Sequence, residues 1–127
     1  MMKLSHVALW THDLEKMTRF WTTMFGAVAG AKYSSQRRPG FTSRFLSLAD
    51  GTCLEIMQGP WISAQCPAEC AGYAHIAIAL GSEEAVRTMA TKAAALGMLE
   101  SPPRLTGDGY FEAVLTDPDG NLVEITA

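Results

Sequence analysis

Apolar positions change period several times along the chain, and each change marks an element. Leu4 to Trp10 is a nearly continuous apolar run, the pattern of a buried strand. The period then lengthens. Leu14, Met17, Trp21 and Met24 recur at helical spacing, Thr11 or Asp13 stands at the N-cap, and Gly26 stops the run. Val28 to Tyr33 reads as a second strand and Ser34 to Gly40 as a polar loop. Phe41 to Leu48, the tight turn Asp50-Gly51 and Thr52 to Gln58 predict a hairpin. Pro60, Pro67 and Gly72 break the pattern, so residues 60–71 read as a linker. The order then recurs. Tyr73 to Leu80 is a strand, and Ser82 caps a helix with Glu83 and Glu84 in its first turn and Gly97 at its end. Met98 to Glu100 begins a strand that Ser101-Pro102-Pro103 interrupts, which suits a sheet edge. Tyr110 to Thr116 and Leu122 to Thr126 form a last hairpin across Asp117-Pro118-Asp119-Gly120. The prediction is an α+β fold of two βαβββ modules, about residues 3–59 and 72–127, within one domain over 1–127.

Alternation orients the hairpins. Thr42, Arg44, Leu46 and Leu48 share one face, as do Phe111, Ala113 and Leu115, and these faces are expected to pack on the helices. The opposite faces carry Ser43, Phe45 and Ser47 in the first module and Glu112, Val114 and Thr116 in the second. Those are assigned to a concave pocket.

The modules repeat more than a pattern of elements. His6 and Glu55 recur as His75 and Glu124, and the two displacements, 75 − 6 and 124 − 55, both equal 69. Asp50-Gly51-Thr52-Cys53-Leu54-Glu55-Ile56 matches Asp119-Gly120-Asn121-Leu122-Val123-Glu124-Ile125, and His6-Val7-Ala8-Leu9 matches His75-Ile76-Ala77-Ile78. A single His beside a strand is usually a hydrogen-bonded structural residue, and a single Glu near a strand end usually faces water. A duplicated fold repeats core positions and turns, but has no structural reason to repeat ionisable residues between Val, Leu and Ile. Two imidazoles and two carboxylates are the donor set of a divalent transition-metal site. Cys53 lies two residues before Glu55, on the same face of a strand, and so can line that site.

Composition narrows the function. The 127 residues are 48% hydrophobic and 18% charged, with a net charge of −3, so nothing points to nucleic acid or an anionic membrane. No apolar run approaches the roughly 20 residues of a membrane span. Met1 to His6 leads straight into a strand without a signal-like segment, and a cytoplasmic location is expected. The three cysteines are odd in number, which argues against a disulfide framework. Cys66 and Cys70 have C-x3-C spacing but no second ligand pair, and read as free thiols.

Paired βαβββ modules, a His at each first strand and Asp117-Pro118-Asp119-Gly120 followed by Glu124 together resemble the vicinal oxygen chelate superfamily. That group includes glyoxalase I, fosfomycin resistance proteins, methylmalonyl-CoA epimerase, extradiol dioxygenases and bleomycin resistance proteins. The resemblance spans the chain and implies the fold of that group, a cupped mixed sheet. It places His6, Glu55, His75 and Glu124 on the four metal ligands of bacterial glyoxalase I, whose second His segment Tyr73-Ala74-His75-Ile76-Ala77 also resembles. The epimerase has Gln at the position of Glu55, and fosfomycin resistance proteins use three protein ligands, so the full set leans towards glyoxalase I. Two departures lean away from glutathione. Trp10 stands where that enzyme has an Arg for the glutathione carboxylate, and Gly59 where it often has Asn. An indole cannot replace a bidentate Arg–carboxylate contact. Arg37, Arg38, Arg44 and Arg104 could serve a different acid, though each singly reads as solvated surface. Val114 stands where extradiol dioxygenases have Tyr.

The implied function is a metal-dependent lyase or isomerase of the glyoxalase I type, acting by proton transfer on a small substrate chelated through oxygens on adjacent carbons. Glu124 is assigned as the base and Glu55 as its symmetric partner. The ion is left open among Zn, Ni, Co, Fe and Mn. Trp10, Phe45, Cys53, Tyr110, Glu112 and Val114 are expected to meet the substrate, and Trp61 is a further aromatic candidate for the cup. The alternatives are an epimerase or dioxygenase using the same metal, or a non-enzymatic binding or resistance protein. In glyoxalase I-like proteins a module of one chain faces a module of another, which implies a homodimer with sites at the interface.

Overall fold

A computed structural model describes residues 1–64 and 67–127. These fall into two compact units, Met1–Gln65 and Cys66–Ala127. Each repeats the same order of elements.

In the first unit, β1 (Val7–Trp10) leads into α1 (Leu14–Phe25). The strand starts three residues later than the apolar run, and Leu4, Ser5 and His6 precede it as exposed chain. Asp13 is the N-cap of α1, its carboxylate accepting from the Lys16 amide at 3.0 Å. The alternative cap, Thr11, is instead buried, and its hydroxyl accepts from the Asp13 amide. Gly26 closes the helix in the left-handed conformation at φ 64°. The expected strand Val28 to Tyr33 is two short pieces, β2 (Val28–Ala29) and β3 (Tyr33–Ser34), each antiparallel to β4 (Thr42–Ser47). The Gly30 amide bonds to Phe45 O and the Arg44 guanidinium to Gly30 O, so the intervening chain stays tied to β4. β5 (Cys53–Gln58) is antiparallel to β4 and parallel to β1, giving the order β1-β5-β4-β2 with β3 on β4.

The second unit runs β6 (His75–Ala79), α2 (Glu83–Ala95), β7 (Leu99–Leu105), β8 (Phe111–Thr116) and β9 (Leu122–Thr126). Ser82 caps α2 as expected. The sheet order is β6-β9-β8-β7, with β6 parallel to β9. Ser101-Pro102-Pro103 lies at the expected edge but does not end the strand. β7 continues through it, with register shifts against β8 on either side of Ser101. Proline can be absorbed there because an edge strand need not donate on its outer side.

Each sheet packs one face on one helix. In the first unit Leu14, Met17 and Trp21 of α1 meet Leu46, Leu54 and Ile56, all essentially inaccessible to water. In the second, Val86, Ala90 and Ala93 of α2 cover Ala113, Leu115, Val123 and Ile125. The helix-facing residues are the ones alternation assigns, and Arg44, on that face, pairs with Glu15 of α1 at 3.1 Å. No helix among the described residues is long and apolar enough to cross a membrane.

Both hairpin turns are fixed by carboxylates. Asp50 accepts from the amide and the hydroxyl of Thr52, each at 2.9 Å. Asp117 accepts from the Asp119 and Asn121 amides and from the Asn121 side chain. Burial pushes its carboxyl above the usual carboxylate range, and these three bonds oppose the rise. The turns set the register that delivers Glu55 and Glu124.

The Leu54 side chain lies at the centre of the first unit's core, whereas Val28 is exposed. Leu54→Ala should lower unfolding free energy by about 2–5 kcal/mol. Val28→Thr, which keeps a branched β carbon, should stay within about 0.5 kcal/mol. Urea denaturation of both variants checks the assignment, and equal effects would contradict it.

Candidate functional site

The helix-free face of each sheet carries the repeated His and Glu, and strand register explains how. β1 and β5 run parallel with Ala8 opposite Glu55, and β6 and β9 run parallel with Ala77 opposite Glu124. Each His stands two residues before that Ala and so projects from the same face. The Ala between them has only a methyl group, which leaves the imidazole room to lean towards the carboxylate. The result is the same in both units. His6 Nε2 lies 3.5 Å from Glu55 Oε1, and His75 Nε2 lies 3.4 Å from Glu124 Oε2. The His side chains are about 40% exposed (39% and 42%) and the Glu side chains about half that (19% and 20%).

These separations discriminate between two uses of the pair. A charge-assisted N–H···O bond closes to about 2.7–2.9 Å, so neither pair is a good direct bond. Two donor atoms each about 2.1 Å from one ion, at a tetrahedral angle, stand about 3.4 Å apart. The donor spacing therefore fits two ligands of one divalent ion at a near-tetrahedral angle. Among the described residues, no group of three or more His, Cys, Asp or Glu side chains is gathered closely enough to hold an ion. Each unit brings together two of the four residues that the repeat singles out.

The surroundings of the two pairs differ. In the first unit Phe45 lies opposite Glu55 in register and meets the His6 ring edge-on, centroids 5.4 Å apart. Cys53 is half-buried on the Glu55 face with a free thiol. Trp10 stands further along the face of β1, 40% exposed, edge-on to Phe41 and Trp61. In the second unit Val114 lies opposite Glu124, at the position equivalent to Phe45. Glu112 is buried on the same face, and exposed Tyr110 precedes it. Of the two cysteines with C-x3-C spacing, Cys70 is exposed and free, and Cys66 lies outside the described residues.

Glu112 is the electrostatically unusual member. A hydrogen bond to the Glu124 carboxyl, reinforced by desolvation and by the negative charge of Glu124, holds its carboxyl above the usual range. Alternation places Glu112 on this face, but its contact with Glu124 needs the pairing of β8 with β9, which no local pattern encodes. The same is true of Arg38. Its guanidinium lies over the Trp61 ring, 3.9 Å from the centroid, where the sequence reads a solvated surface charge or one of four candidates for an acid. Arg44 is paired with Glu15, and Arg104 adds a favourable charge near Glu112.

The sequence model of the glyoxalase/bleomycin resistance protein/dioxygenase superfamily matches residues 3–125, and the chain belongs to that family. Among solved structures, a domain of this family from Frankia sp. EAN1pec superposes with a TM-score of 0.85 at 16% identity, covering 99% of this chain and 91% of that one. A mutant glyoxalase I from Zea mays matches with a TM-score of 0.80 at 21% identity, over 98% of this chain and 44% of its own. A mutant of the fosfomycin resistance protein FosX from Listeria monocytogenes, in complex with Mn(II) and a dihydroxypropylphosphonic acid, gives 0.76 at 27%, over 100% and 93%. Curated proteins give no match. The family includes metal-dependent enzymes, and its members share the α+β fold described above.

A raised carboxyl pKa has a definite sign in stability. Folding binds the Glu112 proton more tightly, so this group stabilises the fold below its ordinary value of 4.5, and the contribution is lost as pH rises through the raised value. Glu112→Gln keeps a neutral donor and does not titrate. In EDTA, its stability relative to the parent protein should therefore rise between about pH 4 and neutrality. Urea denaturation across that range provides the check, and a difference that is flat or falls with pH would contradict the Glu112–Glu124 contact.

Proposed function

We propose that this protein is a metal-dependent lyase or isomerase of the glyoxalase I type, with His6, Glu55, His75 and Glu124 together holding one divalent ion. The observation that carries the reading is the duplicated His–Glu pair. Two pairs with one sequence displacement each set their donor atoms at a separation suited to sharing an ion. The match to the family over residues 3–125 and the Mn(II) complex of the FosX mutant support it. Nitrogen and oxygen donors suit Zn, Ni, Co, Fe or Mn.

Bound there, the ion would supply a Lewis acid for a substrate carrying oxygens on adjacent carbons. The chain's own residues supply the proton traffic. Glu124 accepts a proton from substrate carbon at a carboxylate oxygen; Glu55, its repeat partner, protonated from solvent water, delivers one to the neighbouring carbon, and Glu124 releases its proton to solvent to reset the site. Glu112, beside the Glu124 carboxyl, holds its own proton more tightly because of that neighbour. Phe45 and Val114, opposite the two Glu residues in register, provide apolar walls that limit water beside the reacting atoms. Cys53 and Tyr110 complete the two faces.

The working form we propose is a homodimer in which each site takes His6 and Glu55 from one chain and His75 and Glu124 from its partner. Purified protein should then bind one divalent ion per chain, and Glu55→Ala or Glu124→Ala should weaken that binding by at least about tenfold, as loss of a charged ligand implies. Elemental analysis after dialysis checks this, and undiminished binding in both variants would overturn the ligand set. Mixing the two variants tests the sharing. A mixed dimer would hold one site lacking both carboxylates and one intact site, so metal binding should partly return; sites confined to single chains would show no recovery.

Trp10 and Gly59 remove the contacts expected for glutathione. The hemithioacetal of methylglyoxal and glutathione should therefore be turned over poorly by the metal-loaded protein. Saturable turnover at ordinary substrate concentrations would show that glutathione is recognised by other means.

A further inference from the structure

The first unit contains a built cation–aromatic cluster that the proton-transfer chemistry does not use. Trp10 stands on the face of β1 that carries His6, four residues further along, or about 13 Å at strand rise. Its ring meets Phe41 edge-on at 6.0 Å and Trp61 edge-on at 6.1 Å, and Tyr33 meets Phe41 in turn at 6.3 Å. The Arg38 guanidinium caps the group, 3.9 Å from the centre of Trp61 and 5.8 Å from that of Trp10.

Two glycines make this arrangement possible. A β carbon at Gly59 would sit 2.4–2.6 Å from atoms of the Trp61 ring, and one at Gly40 would sit 2.7 Å from a Pro60 ring carbon. Gly40 also has φ +90°, a conformation that side chains disfavour. The loop carrying Arg38 and the turn carrying Trp61 are thus held together by close backbone approaches that no other residue type allows unchanged. The loop is further fixed by the Arg38 amide donating to the Ser35 hydroxyl and the Phe41 amide donating to Arg38 O.

The cation is committed to no acid. Among the described residues, Arg44 pairs with Glu15 while no carboxylate lies within ion-pair distance of Arg38. The guanidinium lies over the Trp61 ring, and a guanidinium carries five N–H donors in a fork that matches a carboxylate. Next to it lies the exposed surface of Trp10, at 40%. Between His6 and Trp10 the only side chain on this face of β1 is the exposed methyl of Ala8, which leaves room for a flat group. Among the described residues of the second unit, the one cation–aromatic contact, Arg87 over Phe111 at 4.7 Å, involves no tryptophan. That unit's equivalents of Trp10 and Phe45 are Ala79 and Val114, so recognition at this end belongs to the first unit alone.

We propose that Arg38, Trp10 and Trp61 form a subsite for an aromatic carboxylate, the acid gripped by the edge of the guanidinium and the ring laid against Trp10 above Ala8. This rests on the preceding reading in one respect, that substrate meets the His6–Glu55 face, and it assigns the substrate class as an aryl acid whose far end points towards that pair.

The test uses the full chain stripped of metal with EDTA, so that its outcome is independent of whether the four ligands hold an ion. Phenylacetate is titrated while the three indole N–H resonances are followed by NMR, assigned with Trp10→Phe and Trp61→Phe. The Trp10 and Trp61 signals should shift saturably, and Trp21, buried in the core, should not. Phenylacetamide, which lacks the charge, and cyclohexylacetate, which lacks the ring, should each bind roughly tenfold more weakly or worse. Arg38→Ala should weaken phenylacetate by a similar factor, Arg38→Lys should fall between, and Arg44→Ala should change nothing. An unshifted Trp21 signal in each variant reports an intact fold. Unmoved Trp10 and Trp61 signals, equal affinity for acid and amide, or undiminished binding by Arg38→Ala would each overturn the subsite. Metal binding measured separately on the same protein shows whether the ligand set stands.

Discussion

The structure turns on one constraint, the parallel pairing that sets an Ala opposite a Glu and a His two residues upstream. Parallel neighbours keep side chains in step along one face, so a single register fixes both members of the pair. In β1 and β5 it places His6 beside Glu55, and in β6 and β9 it places His75 beside Glu124. Everything else serves that register. The turns at Asp50 and Asp117 aim the returning strands, the helices cover the opposite faces, and the cores of Leu46, Leu54 and Ile56, and of Leu115, Val123 and Ile125, prevent a slip. A shift of one residue would carry each Glu into the core and its apolar neighbours, Leu54 and Ile56 or Val123 and Ile125, out of it.

The repeat is kept at the His–Glu pairs and abandoned around them. His, Ala and Glu recur, and their donor atoms fall at nearly equal separations in the two units. The neighbours at equivalent positions diverge. Phe45 corresponds to Val114, Trp10 to Ala79 and Ser43 to Glu112. One unit offers aromatic rings and a stacked guanidinium, and the other a small apolar wall backed by a second carboxyl. Each module thus carries the same His–Glu pair within a different surrounding surface.

Much of this was legible in the sequence, for local reasons. Helix limits followed from Asp13, Gly26 and Ser82, and the facing of β4 and β8 from strict alternation. The 69-residue displacement exposed both His–Glu pairs before any geometry. What escaped depended on contacts between distant segments. The run from Val28 to Tyr33 looks like one strand, yet it pairs with β4 only at its two ends. The prolines after Glu100 marked the edge and the irregularity, but not that β7 runs on through them to Leu105. Gly59 stood out as an unexpected residue, but its reason, the ring of Trp61 against it, is a close approach that only the folded loop reveals. Arg38 carried no signal beyond its charge.

The most direct test of the central claim is X-ray absorption spectroscopy of the zinc-loaded protein. The first shell should be nitrogen and oxygen at about 2.0–2.2 Å, with outer-shell scattering from two imidazoles on each ion. A shell with one imidazole or none, or one containing sulfur, would contradict the assignment of His6 and His75 to a common ion.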